Sequence, residues 1–435
     1  MRKLAFILAL SFVAVPASAL TKKRAAQASA KKKPSRKKHY RRPVVYVPPK
    51  VRHVAFEAVS ERATQPNRVL DGAGALVPFF EQISHPSGNG SLHILHYGDS
   101  HTASDDWADT MRQALQRKFG VGGPGFTLAG HPFAGYRRFD IRGANSRGWY
   151  TDGLVGRQGD GIYGLGGVSL TTTSAGETVT MSAECEQVEL HYLQQPGGGS
   201  MEFDVDGVAI DTIDTDGPLA PGFYRHAPTA GVHEYSIRTL RDAPVRLFGW
   251  VAQNRSGITY ETLGINGAQA SLQLDWNESI LDGAMADREP ALILVAYGTN
   301  EALNAKWNET DYHAAFTAML RRLRAAAPLA SILVVGPPDC EKRIHGRRVP
   351  FPHLEEVIDV QRQTALENGC AFWDWRTRMG GPGSVQQWVQ AGLGQGDYVH
   401  LTSAGYRLVG SMLFEELMAQ YNRFLAARTE AVNGQ

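Results

Sequence analysis

Short apolar segments alternate with amphipathic segments near both ends of this chain, and a long stretch between them has neither pattern. The apolar runs Leu92–Tyr97 and Ala291–Tyr297 are each followed by segments of helical spacing, such as Tyr312–Ala325. Strands that alternate with helices predict a parallel sheet covered on both faces. From about residue 130 to about residue 255, short alternating segments separated by glycine-rich turns predict a β-sandwich. We therefore expect an α/β, three-layer sandwich that carries an inserted β-sandwich domain.

Two helices are predicted close to the first strand. Apolar residues recur at helical spacing over Arg68–Ile83 and again over Ser104–Phe119. Ser104 is a plausible N-cap of the second helix, and Gly120 is a plausible stop signal.

Several polar residues stand just past predicted strand ends or before the last helix. Ser100 directly follows the first apolar run, and Asp397 and His400 lie three residues apart ahead of the C-terminal helical segment. Gly267 and Asn300 also follow predicted strands, whose carboxyl ends share one edge of a parallel sheet. A serine hydroxyl becomes nucleophilic when a base takes its proton and a third group orients that base. This pattern predicts a serine hydrolase or transferase.

Four blocks in this order resemble those of the SGNH (GDSL-type) hydrolase superfamily. The blocks are Gly98-Asp99-Ser100, a glycine that is Gly267 or alternatively Gly264, Gly298-Thr299-Asn300, and Asp397-Tyr398-Val399-His400. His101 departs from the common form of the first block, which has leucine there. The resemblance implies an SGNH, flavodoxin-like α/β fold.

The resemblance also implies a role for each matched residue. Ser100 would be the nucleophile, His400 the general base and then acid, and Asp397 the group that orients the imidazole. The backbone N–H groups of Ser100 and Gly267 and the side-chain amide of Asn300 would form the oxyanion hole. Neither a metal nor another cofactor is implied.

Within the superfamily, the chain is most similar to bacterial peptidoglycan O-acetylesterases that have a carbohydrate-binding-module-like insert. The segments Tyr97–Asp105 and Phe119–Phe126 and the large β insert carry this similarity. It implies a serine esterase that removes O-acetyl groups from muramic acid O-6 of peptidoglycan through an acyl-enzyme, with acetylated cell-wall glycan as its partner. Three alternatives remain: a peptidoglycan O-acetyltransferase, an acetylesterase of another polysaccharide such as xylan, and a non-catalytic glycan-binding envelope protein.

A different chemistry starts from the same segment. Asp99-Ser100-His101 also fits the Asp-x-His start of a metallophosphoesterase, but Gly298-Thr299-Asn300-Glu301 lacks the histidine that such enzymes need. Asp99 is more simply interpreted as an acceptor for loop N–H groups. His93 and His96 have no partner cluster in the sequence, so we interpret them as buried, hydrogen-bonded histidines.

Aromatic residues of the insert have two possible roles. They could stack on sugar rings beside the active site, or they could form the core of the sandwich, which is the commoner role of such residues. The residues concerned are Trp149, Tyr150, Tyr163, Tyr224 and Trp250.

The N-terminal segment predicts an exported protein. Residues 1–19 have a basic start, an apolar run and a small-residue cleavage site, which is the layout of a secretory signal peptide; an uncleaved anchor is the alternative. Fifteen of the 45 Lys and Arg lie within residues 1–52, which contain none of the 43 Asp and Glu. This basic tail would contact anionic envelope polymers or act as a solvated spacer. Because the remainder is acidic, nucleic acid is a poor partner. We expect a periplasmic or secreted protein with no membrane span after cleavage.

The predicted organisation has six parts. They are a signal peptide 1–19, a basic disordered linker 20–55, the first part of the hydrolase domain 56–128, the insert 129–257, the second part of the hydrolase domain 258–425, and a tail 426–435. Three cysteines are odd in number for an oxidising compartment. Cys340 and Cys370 are a possible pair, but buried free thiols are the default expectation.

Overall fold

The structure is a computed structural model that describes residues 45–65, 69–85, 90–156 and 159–433. The predicted signal peptide 1–19 and most of the predicted linker lie outside these residues. The described helices are α1 (Pro49–Thr64), α2 (Val77–Ser84), α3 (Ser100–Ala103), α4 (Asp106–Phe119), α5 (Glu278–Arg288), α6 (Thr299–Leu303), α7 (Glu309–Ala326), α8 (Leu354–Glu367), α9 (Trp375–Met379), α10 (Ser384–Gln390) and α11 (Ser403–Asn433).

The described strands follow the alternation that the sequence predicts. They are β1 (Leu70–Asp71), β2 (Leu92–Gly98), β3 (Gly125–Leu128), β4 (Arg142–Asn145), β5 (Tyr150–Asp152), β6 (Ser169–Thr172), β7 (Thr178–Glu184), β8 (Gln187–Gln194), β9 (Ser200–Val205), β10 (Val208–Asp214), β11 (Ala220–His226), β12 (Val232–Thr239), β13 (Val245–Gln253), β14 (Ile258–Gly264), β15 (Leu292–Ala296), β16 (Ser331–Val335), β17 (Glu341–Ile344), β18 (Arg347–Pro350) and β19 (Ala371–Trp373).

One sheet carries the α/β part of the fold. Its strand order is β1-β19-β16-β15-β2-β14, and every neighbouring pair is parallel except β1 with β19. Successive residues of the central strands point to opposite faces. Thus Ile293 and Val295 pack with α5, α7 and α8, whereas Leu292 and Leu294 pack with α2, α4 and α11. The predicted three-layer α/β architecture is confirmed.

Two antiparallel sheets form the predicted β-sandwich. One has the order β10-β9-β12-β7-β4, and the other has β11-β8-β13-β6-β5 with β3 added beside β13. Side chains from both sheets share one core, including Met181 and Tyr235 from the first and Leu190 and Leu247 from the second. The chain enters this sandwich after α4 and leaves it before β14, so the α/β domain carries it as an insert. Since β3 begins at Gly125, the sandwich pairing starts ahead of the expected boundary at residue 129.

Helix α1 begins inside the segment that the basic composition predicts to be a disordered linker, so that prediction is wrong from Pro49 onward. Proline is well suited to the first helical turn, where its missing N–H has no intrahelical acceptor. Ala55, Val59 and Ala63 form the buried side of the helix. Arg378 donates hydrogen bonds to the carbonyl groups of Arg62 and Ala63. The amino-acid composition of the segment does not indicate these contacts with residues distant in sequence.

Both helices predicted near the first strand are shorter than expected. Over 68–83, Gly72 has φ +66°, and a β-carbon there would lie 2.7 Å from Leu366 Cδ2, so the turn between β1 and the following 3-10 helix needs glycine. Over 104–119, Asp105 adopts φ +61° and separates α3 from α4. Ser104 Oγ donates to the carbonyl of His101 at 2.8 Å instead of capping α4. The predicted stop at Gly120 is the C-cap.

Buried side chains account for several residues that the sequence singled out. All three cysteines are buried and free, as expected by default. His96 is buried between Tyr260 Oη at 2.9 Å and Thr102 Oγ1 at 3.2 Å, and His93 Nδ1 lies 2.9 Å from Thr259 Oγ1. No described helix is both long and apolar enough to cross a bilayer.

Most of the five aromatic residues singled out in the insert belong to a hydrophobic core, which is the commoner role of such residues. Trp149, Tyr163 and Trp250 are buried, and Tyr224 packs against the sandwich core. Tyr150 is 54% exposed and is the only one of the five that is free to stack on a ligand across much of its ring.

Candidate active site

The first site segment is a sharp transition from strand β2 to helix α3. Strand β2 ends at Gly98, where a β-carbon would lie 2.2 Å from Thr102 Oγ1 and 2.7 Å from the carbonyl oxygen of Ala296, so no larger residue fits. Asp99 caps α3 by accepting the N–H of His101 at 2.9 Å. Burial raises the pKa of Asp99 to about 6, although this hydrogen bond opposes the shift. Ser100 therefore stands at the helix N-terminus, at the carboxyl edge of the sheet.

The structure brings the predicted nucleophile, base and orienting acid together. Ser100 Oγ lies 3.0 Å from His400 Nε2, and His400 Nδ1 lies 2.9 Å from Asp397 Oδ2. The other carboxylate oxygen accepts the N–H groups of Val399 and His400 at 3.0 Å each. Burial alone would raise the pKa of Asp397, but the hydrogen bonds from His400 and Val399 outweigh it and lower the pKa to about 2. The carboxylate is thus ionised and holds the hydrogen on Nδ1, which leaves Nε2 to accept from serine.

Arg348 supports the Asp397–His400 turn, and the motif alone gave no sign of it. Tyr398, between the two polar residues, has φ +64°. The guanidinium of Arg348 lies 3.6 Å from the centre of the Tyr398 ring, and it donates to the carbonyls of Asp397 at 3.2 Å and Gly396 at 3.0 Å. This cation–π contact and two hydrogen bonds fix an otherwise strained turn.

The predicted oxyanion donors line the same cavity as the serine. A cavity of about 760 Å³ is bordered by Ser100, Gly267, Asn300 and His400, among other residues. Asn300 Nδ2 donates one hydrogen to the carbonyl of Ala268 at 2.9 Å, so its second hydrogen is left for a ligand. The alternative glycine, Gly264, is not among the residues that border this cavity.

Gly264 and Gly267 differ in what surrounds their backbones. At Gly264, the end of β14, a β-carbon would lie 2.2 Å from the backbone nitrogen of Ala103, so this residue allows α3 to pack on the strand. Gly267 has φ +78° and only Val155 within 4 Å of a β-carbon, so its backbone is open to the cavity.

Glu301 ties the two oxyanion loops to each other, a role that sequence reasoning missed. Its Oε1 accepts the N–H of Ala270 at 2.8 Å, and its Oε2 accepts the N–H of Gly298 at 3.0 Å. Burial raises the pKa of Glu301 to about 7. The negative charge of nearby Asp99 also raises this pKa, whereas the two backbone hydrogen bonds lower it. A glutamate in the first turn after Gly-x-Asn was the available signal, but the loop that it reaches is about 30 positions away in sequence.

His101 serves the packing of the site. Its Nδ1 lies 2.8 Å from Tyr406 Oη, and its ring centre lies 5.2 Å from that of His400. Burial lowers the pKa of His101 well below the usual value, so the ring stays neutral. Asp99 and His101 are therefore both engaged by protein groups, unlike the metal ligands that the rival interpretation requires.

A possible metal-ligand cluster among the described residues lies elsewhere. Glu189 and His191 on β8 face Asp287 on α5, with ligand atoms within 4.8 Å of one another. Arg225 pairs with both carboxylates, which neutralises much of their charge. This group joins the sandwich to the α/β domain and contains no residue of the catalytic cavity.

Comparisons with known proteins agree with this architecture. The family model of GDSL-like lipases and acylhydrolases matches residues 229–408, which include Gly267, Asn300, Asp397 and His400. The match begins inside the insert, and Ser100 lies outside it. The solved structure of a peptidoglycan O-acetylesterase is 27% identical to the chain, covers 82% of this chain and 99% of its own length, and superposes with a TM-score of 0.70.

Other solved structures are much less similar. A family two carbohydrate esterase from Cellvibrio japonicus is 12% identical over 66% of this chain and 99% of its own, with a TM-score of 0.27. A salicylyl-acyltransferase from a tetracycline biosynthetic pathway is 12% identical over 65% of this chain and 98% of its own, with a TM-score of 0.30. The search of curated proteins found no match.

The protein is therefore a carboxylic ester hydrolase. It resembles the GDSL-like lipases and acylhydrolases over residues 229–408 and a peptidoglycan O-acetylesterase over most of its length, as its sequence blocks indicate.

Proposed function

We propose that this protein is an exported serine esterase that removes acetyl groups from muramic acid O-6 of peptidoglycan through an acyl-enzyme. The observation that carries the proposal is the hydrogen-bonded chain from Ser100 Oγ through His400 to Asp397 at the wall of the 760 Å³ cavity. Export rests on the signal-peptide layout of residues 1–19. The likeness to a peptidoglycan O-acetylesterase supports the choice of substrate.

The proposed reaction begins with acyl transfer to the enzyme. Ser100 Oγ attacks the acetyl carbonyl while His400 Nε2 takes its proton, and the ionised Asp397 stabilises the imidazolium. The oxyanion accepts hydrogen bonds from the backbone N–H groups of Ser100 and Gly267 and from the amide of Asn300. When the tetrahedral intermediate collapses, the proton on His400 passes to the departing sugar oxygen, and acetyl stays on Ser100.

Water completes the cycle by the same route. His400 takes a proton from a water molecule, which attacks the acetyl-enzyme carbonyl, and the second tetrahedral intermediate is held by the same donors. Its collapse releases acetate, and His400 returns the proton to Ser100 Oγ. A sugar hydroxyl in place of water would make the same site a transferase.

Acetate release from three substrates tests the proposal. O-acetylated peptidoglycan, acetylated xylan and a small aryl acetate are incubated with the wild type and with Ser100→Ala. We expect serine-dependent release chiefly from peptidoglycan. Cleavage of the aryl ester alone would contradict the choice of polymer, and equal activity of Ser100→Ala would contradict the serine mechanism. Retention of thermal stability by Ser100→Ala is the folding control.

The N-terminus of the exported protein tests the export part. Expression in a Gram-negative host should give a periplasmic protein that mass spectrometry shows to begin at Leu20, after the small residues Ala17-Ser18-Ala19. A cytoplasmic protein that retains residues 1–19 would contradict export.

A further inference from the structure

A single loop separates the catalytic cavity from a second cavity in the insert. Residues 129–141 connect β3 to β4, and Ala134 and Gly135 of this loop border the catalytic cavity. The other side of the loop closes a cavity of about 400 Å³ that lies between the two sheets of the sandwich. Arg137 borders both cavities. The two cavities therefore meet at this side chain.

The loop holds Arg137 in place through its neighbours on both sides. Tyr136 is buried, its hydroxyl lying 2.6 Å from Thr127 Oγ1 and accepting the N–H of Leu128 at 3.1 Å. Arg138 is also buried and donates to the carbonyl of Phe126 at 2.7 Å. Because flanking side chains are fixed to strand β3, the exposed Arg137 projects from an ordered backbone.

A further contact fixes the loop to the helix that follows the nucleophile. The N–H of Phe139 donates to Asp105 Oδ2 at 2.8 Å. Asp105 is fully buried and also pairs with Arg112 of α4 at 2.8 Å. The backbone on either side of Arg137 is thus attached to both domains.

Two of the three arginines that line the second cavity have no acidic partner among the described residues. Its lining includes Arg137, Arg138 and Arg142 and contains no acidic residue. Arg138 is neutralised by Asp140 at 2.9 Å. Arg137 and Arg142 are exposed, and their side chains have no hydrogen bond or ion pair with any described residue. Two guanidinium groups, each with five N–H donors, are therefore available to an anion.

We infer that Arg137 and Arg142 form a carboxylate-binding subsite that holds the acidic part of the glycan while the acetyl ester reaches Ser100. The inference rests on the proposed function and adds what the substrate must carry. Muramic acid bears a lactyl ether that ends in a carboxyl group, either free or joined to a stem peptide with further carboxylates. Guanidinium binds a carboxylate through two parallel hydrogen bonds, which fixes position as well as charge. Neutral acetylated polysaccharides offer no such group.

The test compares polymer and small-ester activity in matched arginine variants. Arg137→Gln, Arg137→Lys and Arg142→Gln are assayed with O-acetylated glycan fragments and with an aryl acetate, and activity is expressed as the ratio of the two kcat/KM values. Arg147→Gln is the control, because Arg147 is exposed, is unpaired in the described chain and borders neither cavity. A charge-assisted hydrogen bond is strong enough that losing it should lower the ratio about 10-fold or more.

Two forms of the glycan fragment identify the source of the carboxylate. One form retains its stem peptides, and the other is treated with an amidase that leaves the free lactyl carboxylate. A fall with the amidase-treated form alone assigns the site to the free lactyl carboxylate, and a fall with the peptide-bearing form assigns it to carboxylates of the stem peptide. In either case Arg137→Lys should have a higher ratio than Arg137→Gln, because lysine keeps the positive charge but lacks the planar guanidinium group. In the glutamine variants, KM for the glycan should change more than kcat.

Other results overturn the inference. A ratio in Arg137→Gln and Arg142→Gln equal to that of Arg147→Gln, with wild-type release from peptidoglycan intact, would refute the subsite and leave the proposed function standing. Absence of release from either fragment by the wild type, with serine-dependent aryl ester cleavage retained, would refute the proposed function and the subsite together.

Discussion

Asp397 fixes both the ring and the backbone of His400. Its Oδ2 lies 2.9 Å from His400 Nδ1, and its Oδ1 accepts the backbone N–H of the same histidine at 3.0 Å. A carboxylate that only oriented the ring would allow the backbone to move. With both contacts made by one side chain, the position of the base depends on the ionisation of Asp397.

Asp397→Asn should lower kcat by roughly 10³- to 10⁴-fold, because the amide can stabilise the wrong tautomer of His400 and cannot balance the imidazolium. The measurement is kcat with an aryl acetate near neutral pH. Asp282→Asn is a suitable control, since Asp282 is exposed on α5 and its side chain has no hydrogen bond or ion pair in the described chain. A loss below 10-fold would show that His400 is oriented without Asp397.

The same carboxylate should make stability depend on acid pH. The pKa of Asp397 is about 2 in the folded protein, below the value of about 3.9 for an unfolded aspartate. Its contribution is therefore fully present above the unfolded pKa and is lost as pH falls through the folded pKa. Urea unfolding between about pH 5 and pH 3 should show a steeper loss of unfolding free energy in the wild type than in Asp397→Asn. Parallel pH dependences would contradict this assignment.

Asn300→Ala should lower kcat by roughly 10²- to 10³-fold and change KM little, because an oxyanion donor acts chiefly in the transition state. Loss of its hydrogen bond to the carbonyl of Ala268 should cost about 1 kcal/mol of unfolding free energy. Steady-state kinetics and chemical denaturation check both parts. A rise in KM with kcat preserved would place Asn300 in ground-state binding instead.

Glu301→Gln should loosen the two oxyanion loops. The carboxylate accepts an N–H from each loop, whereas a glutamine has one acceptor oxygen and presents an N–H donor to the other loop. We expect kcat to fall about 10-fold. Because burial raises the pKa of Glu301 to about 7, its contribution to stability is present below the unfolded pKa and is lost as pH rises through about 7.

Unfolding free energies measured from about pH 5 to pH 8 check the second part of this prediction. The wild type should lose more stability over this range than Glu301→Gln does. Equal slopes would contradict the raised pKa of Glu301, and an unchanged kcat would show that its carboxylate does not position the loops.

Arg138→Met should lower the unfolding free energy by about 2 kcal/mol or more, because the carbonyl groups of Phe126 and Pro124 lose their side-chain donor and Asp140 keeps only Arg112 as an ion-pair partner. Chemical denaturation measures the change. Arg147→Met removes an exposed arginine and should stay within about 0.5 kcal/mol of the wild type. Similar losses in both variants would mean that the buried network adds nothing specific.

Local patterns predicted the main architecture and the positions of the site segments. Apolar runs of strand length end at Gly98 and Ala296, and the chemistry-bearing residues Ser100 and Asn300 follow them, as expected at the carboxyl edge of a parallel sheet. Sites at the carboxyl ends of the strands are a general property of α/β folds, so the alternation of strands and helices is enough to predict this location. The sandwich followed from turn spacing in the same way.

Residues that act across the fold were not predictable. Arg348 stacks on Tyr398 from a two-stranded hairpin, and Glu301, which follows β15, accepts the N–H of Ala270, which follows β14 on the far side of β2. Each is an ordinary charged residue in its own segment, and its role comes from a partner that only tertiary structure supplies. The early start of α1 was missed for the same reason: a basic composition does not reveal which apolar face a helix will bury.

Strand β2 and the turn before α11 also impose an order on how the enzyme is made. A ribosome makes Ser100 first, then the insert, then the segments that hold Gly267 and Asn300, and Asp397 and His400 after them. In a growing chain the proposed nucleophile Ser100 therefore precedes the proposed base His400 by 300 residues. With these roles, a nascent chain that lacks the turn before α11 should have no hydrolytic activity.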